Sequence, residues 1–112
     1  MSTLPYNYSM RNEEKRQIAE TILEQLGGRE FVVMTGAKHL SFGSSGELSF
    51  KLPIGKYRIC RIELTPMDVY RVTFFKSLTD NGVIHDDVYC DVLRGLFERE
   101  TGLRTSLWRV YA

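Results

Sequence analysis

Apolar and polar positions follow two different periods along this chain, and the change of period marks the elements. Ile18, Ala19, Ile22, Leu23 and Leu26 recur at i, i+1, i+4, i+5 and i+8, one stripe on a helix of 3.6 residues per turn. Asn12 precedes the stripe as an N-cap, and Glu13 and Glu14 complement the positive end of the helix dipole. Gly27-Gly28 then supplies a stop, since glycine accepts the left-handed conformation at a helix end. From residue 31 the period shortens to two. Residues 31–34, Phe-Val-Val-Met, read as a short strand, with Gly36 as the turn residue after it. Leu40 and Phe42 alternate, then Leu48, Phe50 and Leu52, then Cys60, Ile62 and Leu64, then Tyr70, Val72 and Phe74. Turn signals separate these runs: Gly-Ser-Ser-Gly at 43–46, residues 53–56, and Thr-Pro-Met-Asp at 65–68. Asp80-Asn81-Gly82 is a further turn, leading to a short edge strand at 83–85.

The strand registers test one another. Pairing Phe42 with Leu48, Phe50 with Cys60, and Ile62 with Val72 keeps every apolar residue on one face, whereas a one-residue slip would invert a strand. The opposite face then carries Ser49, Lys51, Arg61, Glu63, Arg71 and Thr73, with Glu63 opposite Arg71 as a cross-strand ion pair.

Period 3.6 returns near the C-terminus. Asp86 and Asp87 read as the cap and first turn of a second helix, whose stripe is Val88, Val92, Leu93, Leu96 and Phe97. Gly102 ends it, with Leu103 as the apolar contact that accompanies such a stop. Gly95, a helix-interior glycine, suggests close approach to the sheet. The expected fold is a two-layer α+β domain: an antiparallel β-meander of about five strands, flanked by an N-terminal and a C-terminal helix packed on one face. Residues 1–11 read as an N-terminal arm, 12–104 as a single domain, and 105–112 as a C-terminal tail.

Composition adds mainly exclusions. A chain of 112 residues, 43% hydrophobic and 26% charged, fits one globular domain with its own core. A net charge of +1 gives no global field toward nucleic acid or anionic lipid. No apolar run approaches the roughly 20 residues of a membrane-spanning helix, and no leader pattern precedes the first helix. The two cysteines, Cys60 and Cys90, each sit in an apolar pattern and read as reduced, packed thiols. No zinc or redox spacing is present.

Three motifs invite a chemical reading. Met-Thr-Gly-Ala-Lys at 34–38 resembles half a phosphate-binding loop, but it lacks the paired glycine and the Lys-[Ser/Thr] ending, so Lys38 and His39 read as loop residues. His85, Asp86, Asp87 and Asp91 form the densest group of metal-ligand types, yet capping alone accounts for the aspartates. No nucleophile elbow occurs. No catalytic residue, metal or cofactor is therefore expected. Two binding surfaces remain. Lys51, Arg61, Arg71 and Phe75 on the solvated sheet face offer cations and an aromatic, as single-strand nucleic-acid binders do. Tyr6, Tyr8, Phe75, Trp108 and Tyr111 exceed what the core stripe needs, and aromatic and arginine side chains are enriched at protein interfaces. The candidate partner-binding residues are Tyr6, Tyr8, Arg61, Arg71, Phe75, Trp108 and Arg109.

Several blocks carry a resemblance: "ILEQLGG", "FVVMTGAKHLSF", "LSFKLP", "IELTPMDVY" and "DDVYCDVLRGLFERETGLRTSL". They resemble a family of small proteins encoded by phages, plasmids and prophage-bearing bacteria, over about residues 18–107. The resemblance implies an accessory gene of mobile DNA, expressed in the cytoplasm of a bacterial host, and transfers no catalytic residue. Asn often stands at the position of His39 in that family, which implies no general catalytic or metal role for this histidine. Accessory proteins of this kind act by binding and blocking a host enzyme, a repressor, or a defence complex such as a CRISPR effector. The expectation is thus a non-catalytic protein-binding factor, plausibly an anti-CRISPR-like inhibitor. The alternative is a nucleic-acid-binding module using the solvated sheet face.

Overall fold

The computed structural model describes residues 12–77 and 79–106. Two helices, α1 (Asn12–Leu26) and α2 (Gly28–Thr35), precede five strands: β1 (Lys38–Phe42), β2 (Leu48–Lys51), β3 (Ile59–Leu64), β4 (Tyr70–Phe75) and β5 (Val83–Val88). A third helix, α3 (Cys90–Thr101), follows. The strands form one antiparallel sheet in the order β1-β2-β3-β4-β5, the meander that the alternation demands. Phe42 lies opposite Leu48, Phe50 opposite Cys60, and Ile62 opposite Val72, the registers required to keep one face apolar. Leu48, Phe50, Cys60, Ile62, Val72 and Phe74 are all buried on that face. Ala19, Ile22 and Leu26 of α1 and Leu93, Leu96 and Phe97 of α3 complete the core.

At the centre four phenylalanines come from four elements. Phe31 of α2 stands edge-on to Phe50 of β2 and to Phe97 of α3, with ring centroids 5.3 and 5.2 Å apart. Phe97 also lies 6.1 Å from Phe50 and 6.3 Å from Phe74 of β4. These separations suit the edge-to-face preference of aromatic quadrupoles.

Three expectations need correction. Residues 31–34 are helical, not a strand. Phe31 and Thr35, four apart, are buried together, while Val33 is 73% exposed. A strand would have placed Phe31 and Val33 on the same face; burial of the Phe31 ring overrides the β preference of the two valines. Asp86 and Asp87 do not cap α3 but lie in β5, which continues to Val88. Arg71 explains why: its Nε donates to Asp86 Oδ1 at 2.6 Å across the β4–β5 ladder. Glu63 is the backbone partner of Arg71, as expected, but the hydrogen bond goes to Asp86. The register shifts between Tyr70 and Val72, a bulge at which Asp87 adopts φ 55°. α3 starts after Tyr89, with Asp91 as the acid of its first turn. Finally, Gly95 does not touch the sheet, since a Cβ added there meets nothing within 4 Å.

Both α2 and α3 stop by the same device. Thr35 Oγ1 donates to the Phe31 carbonyl at 2.8 Å and accepts from the Ala37 N–H at 3.2 Å. Thr101 Oγ1 donates to the Phe97 carbonyl at 2.7 Å and accepts from the Leu103 N–H at 3.1 Å. Between them Gly36 and Gly102 take the left-handed conformation, φ 73° and 75°, and their N–H groups close on Val32 and Glu98. Past the second stop, the first residues read as a tail are packed: Thr105 and Ser106 are buried. The Thr105 hydroxyl and N–H both donate to Glu98 Oε2 at 2.8 Å, and Arg94 Nε donates to the hydroxyl at 2.7 Å.

Candidate functional site

The solvated sheet face brings three of the predicted binding residues together. The Arg61 guanidinium lies over the Phe75 ring, 5.7 Å from its centroid, a cation–π contact of about 0.5–1 kcal/mol at an exposed site. Arg61 Nε is also 3.7 Å from Glu63 Oε2. Arg71, on the neighbouring strand, is engaged by Asp86. The Asp86 hydrogen bond, with the nearby charges of Asp86, Glu63 and Asp87, pushes the Arg71 pKa further up. The middle of the face is therefore charge-balanced. Tyr6, Tyr8, Trp108, Tyr111 and Arg109 lie outside the described residues, as does the side chain of Asn12, expected from the sequence to cap the first helix.

A second surface was not legible from the sequence. The outer edge of β5 has no strand partner among the described residues. Beside it a groove of about 850 Å³ runs between β5 and α3. Ile84 of β5 and Val92 of α3 are among its lining residues and are 56% and 50% exposed. Tyr89, in the connection between the two elements, is also exposed. Asp86 and Asp87 stand on the strand wall, and Asp91 on the first turn of α3. The signal for this surface was hidden because Asp86 and Asp87 read as helix-capping residues, which would have ended β5 at residue 85.

The chemically suggestive residues do not converge. His39 on β1 and His85 on β5 occupy opposite edges of the sheet. Among the described residues no group of three or more His, Cys, Asp or Glu side chains could hold a metal ion. His85 Nε2 is buried without a hydrogen-bond partner, 3.8 Å from Glu100 Oε1, and its ring stands edge-on to Phe74. The Met-Thr-Gly-Ala-Lys stretch is the stop of α2 and the start of β1, with no helix N-terminus to face a phosphate.

The cysteines divide by environment. Cys60 is fully buried beneath the helices, and burial pushes its thiol pKa strongly upward, away from the reactive thiolate. Cys90 opens α3 and is exposed, contrary to its expected packing: Leu93, Leu96 and Phe97, not Val88, define the buried stripe of the helix. A thiol reagent is therefore expected to modify Cys90 in the native protein, and Cys60 only after denaturation. Rapid modification of both in native buffer would contradict this burial.

No helix among the described residues is long and apolar enough to cross a membrane. No family model, curated protein or solved structure matches the chain.

Proposed function

We propose that this protein is a non-catalytic accessory factor of a phage or mobile element that binds a partner protein through the β5–α3 groove, and that it inhibits a host defence complex in the manner of an anti-CRISPR protein. The observation that carries the proposal is the unpaired edge of β5 beside exposed Ile84, Tyr89 and Val92. An open edge is a template for pairing with another chain, and here the bulge and the charges of Asp86 and Asp87 blunt only its C-terminal half, leaving residues 83–85 open. An extended segment of the partner would add as a sixth strand, gaining main-chain hydrogen bonds from β5 and apolar contact from Ile84 and Val92. Asp87 and Asp91 favour a segment carrying basic residues beside its apolar ones. The genomic context implied by the resemblance supplies the host-defence part of the proposal.

The test begins with affinity purification by the intact protein from a CRISPR-armed host, followed by binding measurements with the purified partner. Ile84→Asp combined with Val92→Asp is expected to weaken binding by about 100-fold, since an apolar anchor in an interface centre carries about 2 kcal/mol or more. Thermal stability should change little, because both side chains are exposed. Amides of β5 should gain hydrogen-exchange protection in the complex. A partner that binds the double variant as tightly as the native protein would sink the groove assignment. Undiminished CRISPR interference in cells expressing the native protein would sink the inhibitor assignment.

A further inference from the structure

Away from the β5–α3 groove, a cavity of about 450 Å³ lies where β1, β2 and β3 meet the segment leaving β4. Lys38, His39, Lys51, Arg58 and Lys76 all line it, and among the described residues its lining contains no carboxylate. The chain as a whole has a net charge of +1, so this concentration is a matter of placement. Lys38 and Lys51 are direct cross-strand partners. Like charges in that position destabilise a sheet, and among the described residues no ion pair with an acidic side chain offsets either of them. A bulge in β1 creates the juxtaposition, and His39 at that bulge adopts φ 56°, which non-glycine residues seldom do. Arg58 is pre-oriented, with Nη1 donating to the Pro53 carbonyl at 3.1 Å. Lys76 has partial compensation from Asp80, which accepts its backbone N–H at 2.9 Å. The backbone N–H groups of Lys76, Gly82 and Asn81, with the Lys76 charge, hold the Asp80 carboxyl below its usual range.

The cavity continues onto the aromatic patch of the sheet. Ile59 and Ser77 line it and also line the smaller depression formed with Arg61 and Phe75. A cationic pocket thus adjoins a cation–π platform. We infer that this junction binds a nucleotide unit, its phosphate held by Lys38, Lys51, Arg58 and Lys76 and its base stacked on the Arg61 guanidinium that Phe75 supports. Lysine and arginine side chains supply the charge-assisted hydrogen bonds that phosphate oxygens accept, and base–aromatic stacking contributes about 1–3 kcal/mol in single-strand binders. The unit could be a free nucleotide or one residue of a single strand; both present the same chemistry to the site.

The experiment titrates the intact protein with three probes, inorganic phosphate, AMP and a fluorescent oligothymidylate, at low and moderate salt. Backbone amide NMR shifts and fluorescence anisotropy provide the readouts. AMP or the oligonucleotide should shift the amides of Lys38, Lys51, Phe75 and Lys76, and the one that binds tighter identifies the source. Lys38→Glu combined with Lys51→Glu should weaken binding about 10-fold or more and flatten its salt dependence, because two phosphate contacts are lost. Phe75→Ala should weaken AMP and the oligonucleotide while leaving the weaker binding of inorganic phosphate unchanged. Lys51→Glu alone should raise the melting temperature slightly by removing the like-charge pair, an independent check that needs no ligand. The inference is overturned if none of the probes shifts these amides at millimolar concentration. It is equally overturned if binding survives both lysine reversals, or if neither AMP nor the oligonucleotide binds better than phosphate. None of these outcomes bears on the protein-docking groove, which uses other residues.

Discussion

Phe97→Ala is expected to destabilise the protein by about 3–5 kcal/mol, enough to leave little folded protein at 37 °C in a domain whose net stability is about 5–15 kcal/mol. Phe97 is 1% exposed and is the ring on which α3 meets the other layer. It touches Phe31, Phe50 and Phe74, so its removal opens a cavity bounded by three stiff rings that cannot easily collapse. Each lost aromatic pair adds to the transfer cost, about 0.5–1.5 kcal/mol for a good edge contact. Urea denaturation monitored by circular dichroism would measure the loss, with Met67→Ala as the reference, because Met67 is 80% exposed and its truncation should stay within about 0.5 kcal/mol. A Phe97→Ala cost below about 1 kcal/mol would mean that the four-ring cluster is not the centre of the core.

The sheet was legible because period-two alternation leaves little freedom. Once Phe42, Leu48, Phe50, Cys60, Ile62 and Val72 are placed on one face, the β2–β3 and β3–β4 registers and the Phe42–Leu48 pair follow, and the structure has them. What escaped the pattern was short or irregular. α2 has only eight residues, and its Phe-Val-Val-Met run is ambiguous by composition. Only Phe31 and Thr35 at i and i+4, with the Thr-Gly stop, distinguish it from a strand. Bulges defeated the rest. Extending the Phe42–Leu48 pairing without interruption would set His39 opposite Lys51, whereas the bulge in β1 sets Lys38 there. The bulge in β5 turned two apparent capping aspartates into strand residues. Both candidate binding surfaces lie beside these irregularities, where periodic reasoning has least to say and where proteins often place function.

The longer sequence blocks quoted above have structural reasons. "MTGAK" and "TGLRTSL" hold the two Thr-Gly helix stops, and the second also holds Thr105, whose hydroxyl links Arg94 to Glu98. "LSFKLP" supplies the inward residues of β2, and "IELTPMDVY" supplies Ile62 of β3 and the turn into β4. The same blocks also hold Lys38, His39, Lys51 and Val92, which line the two candidate binding surfaces.

Gly36→Ala should cost about 2–4 kcal/mol, and Gly102→Ala only about 1–2 kcal/mol, although both glycines end a helix at nearly the same φ. The shared part is the left-handed conformation, which a Cβ disfavours by about 1–2 kcal/mol. The difference is local space. A Cβ on Gly102 meets nothing within 4 Å, whereas one on Gly36 would lie 3.0 Å from Pro53 Cγ, forcing the 53–57 loop away. The proline ring cannot rotate aside as a flexible side chain would. A double-mutant cycle isolates that contact: Pro53→Ala should return the Gly36→Ala cost to the level of Gly102→Ala. Equal costs for the two single variants would show that the loop yields freely. Pro53 also lines the cationic pocket, and its carbonyl orients Arg58. If the loop shifts, Gly36→Ala should therefore weaken nucleotide binding without changing any residue of the pocket. Gly36 would then matter to phosphate recognition through the position of Pro53 rather than as part of a phosphate loop.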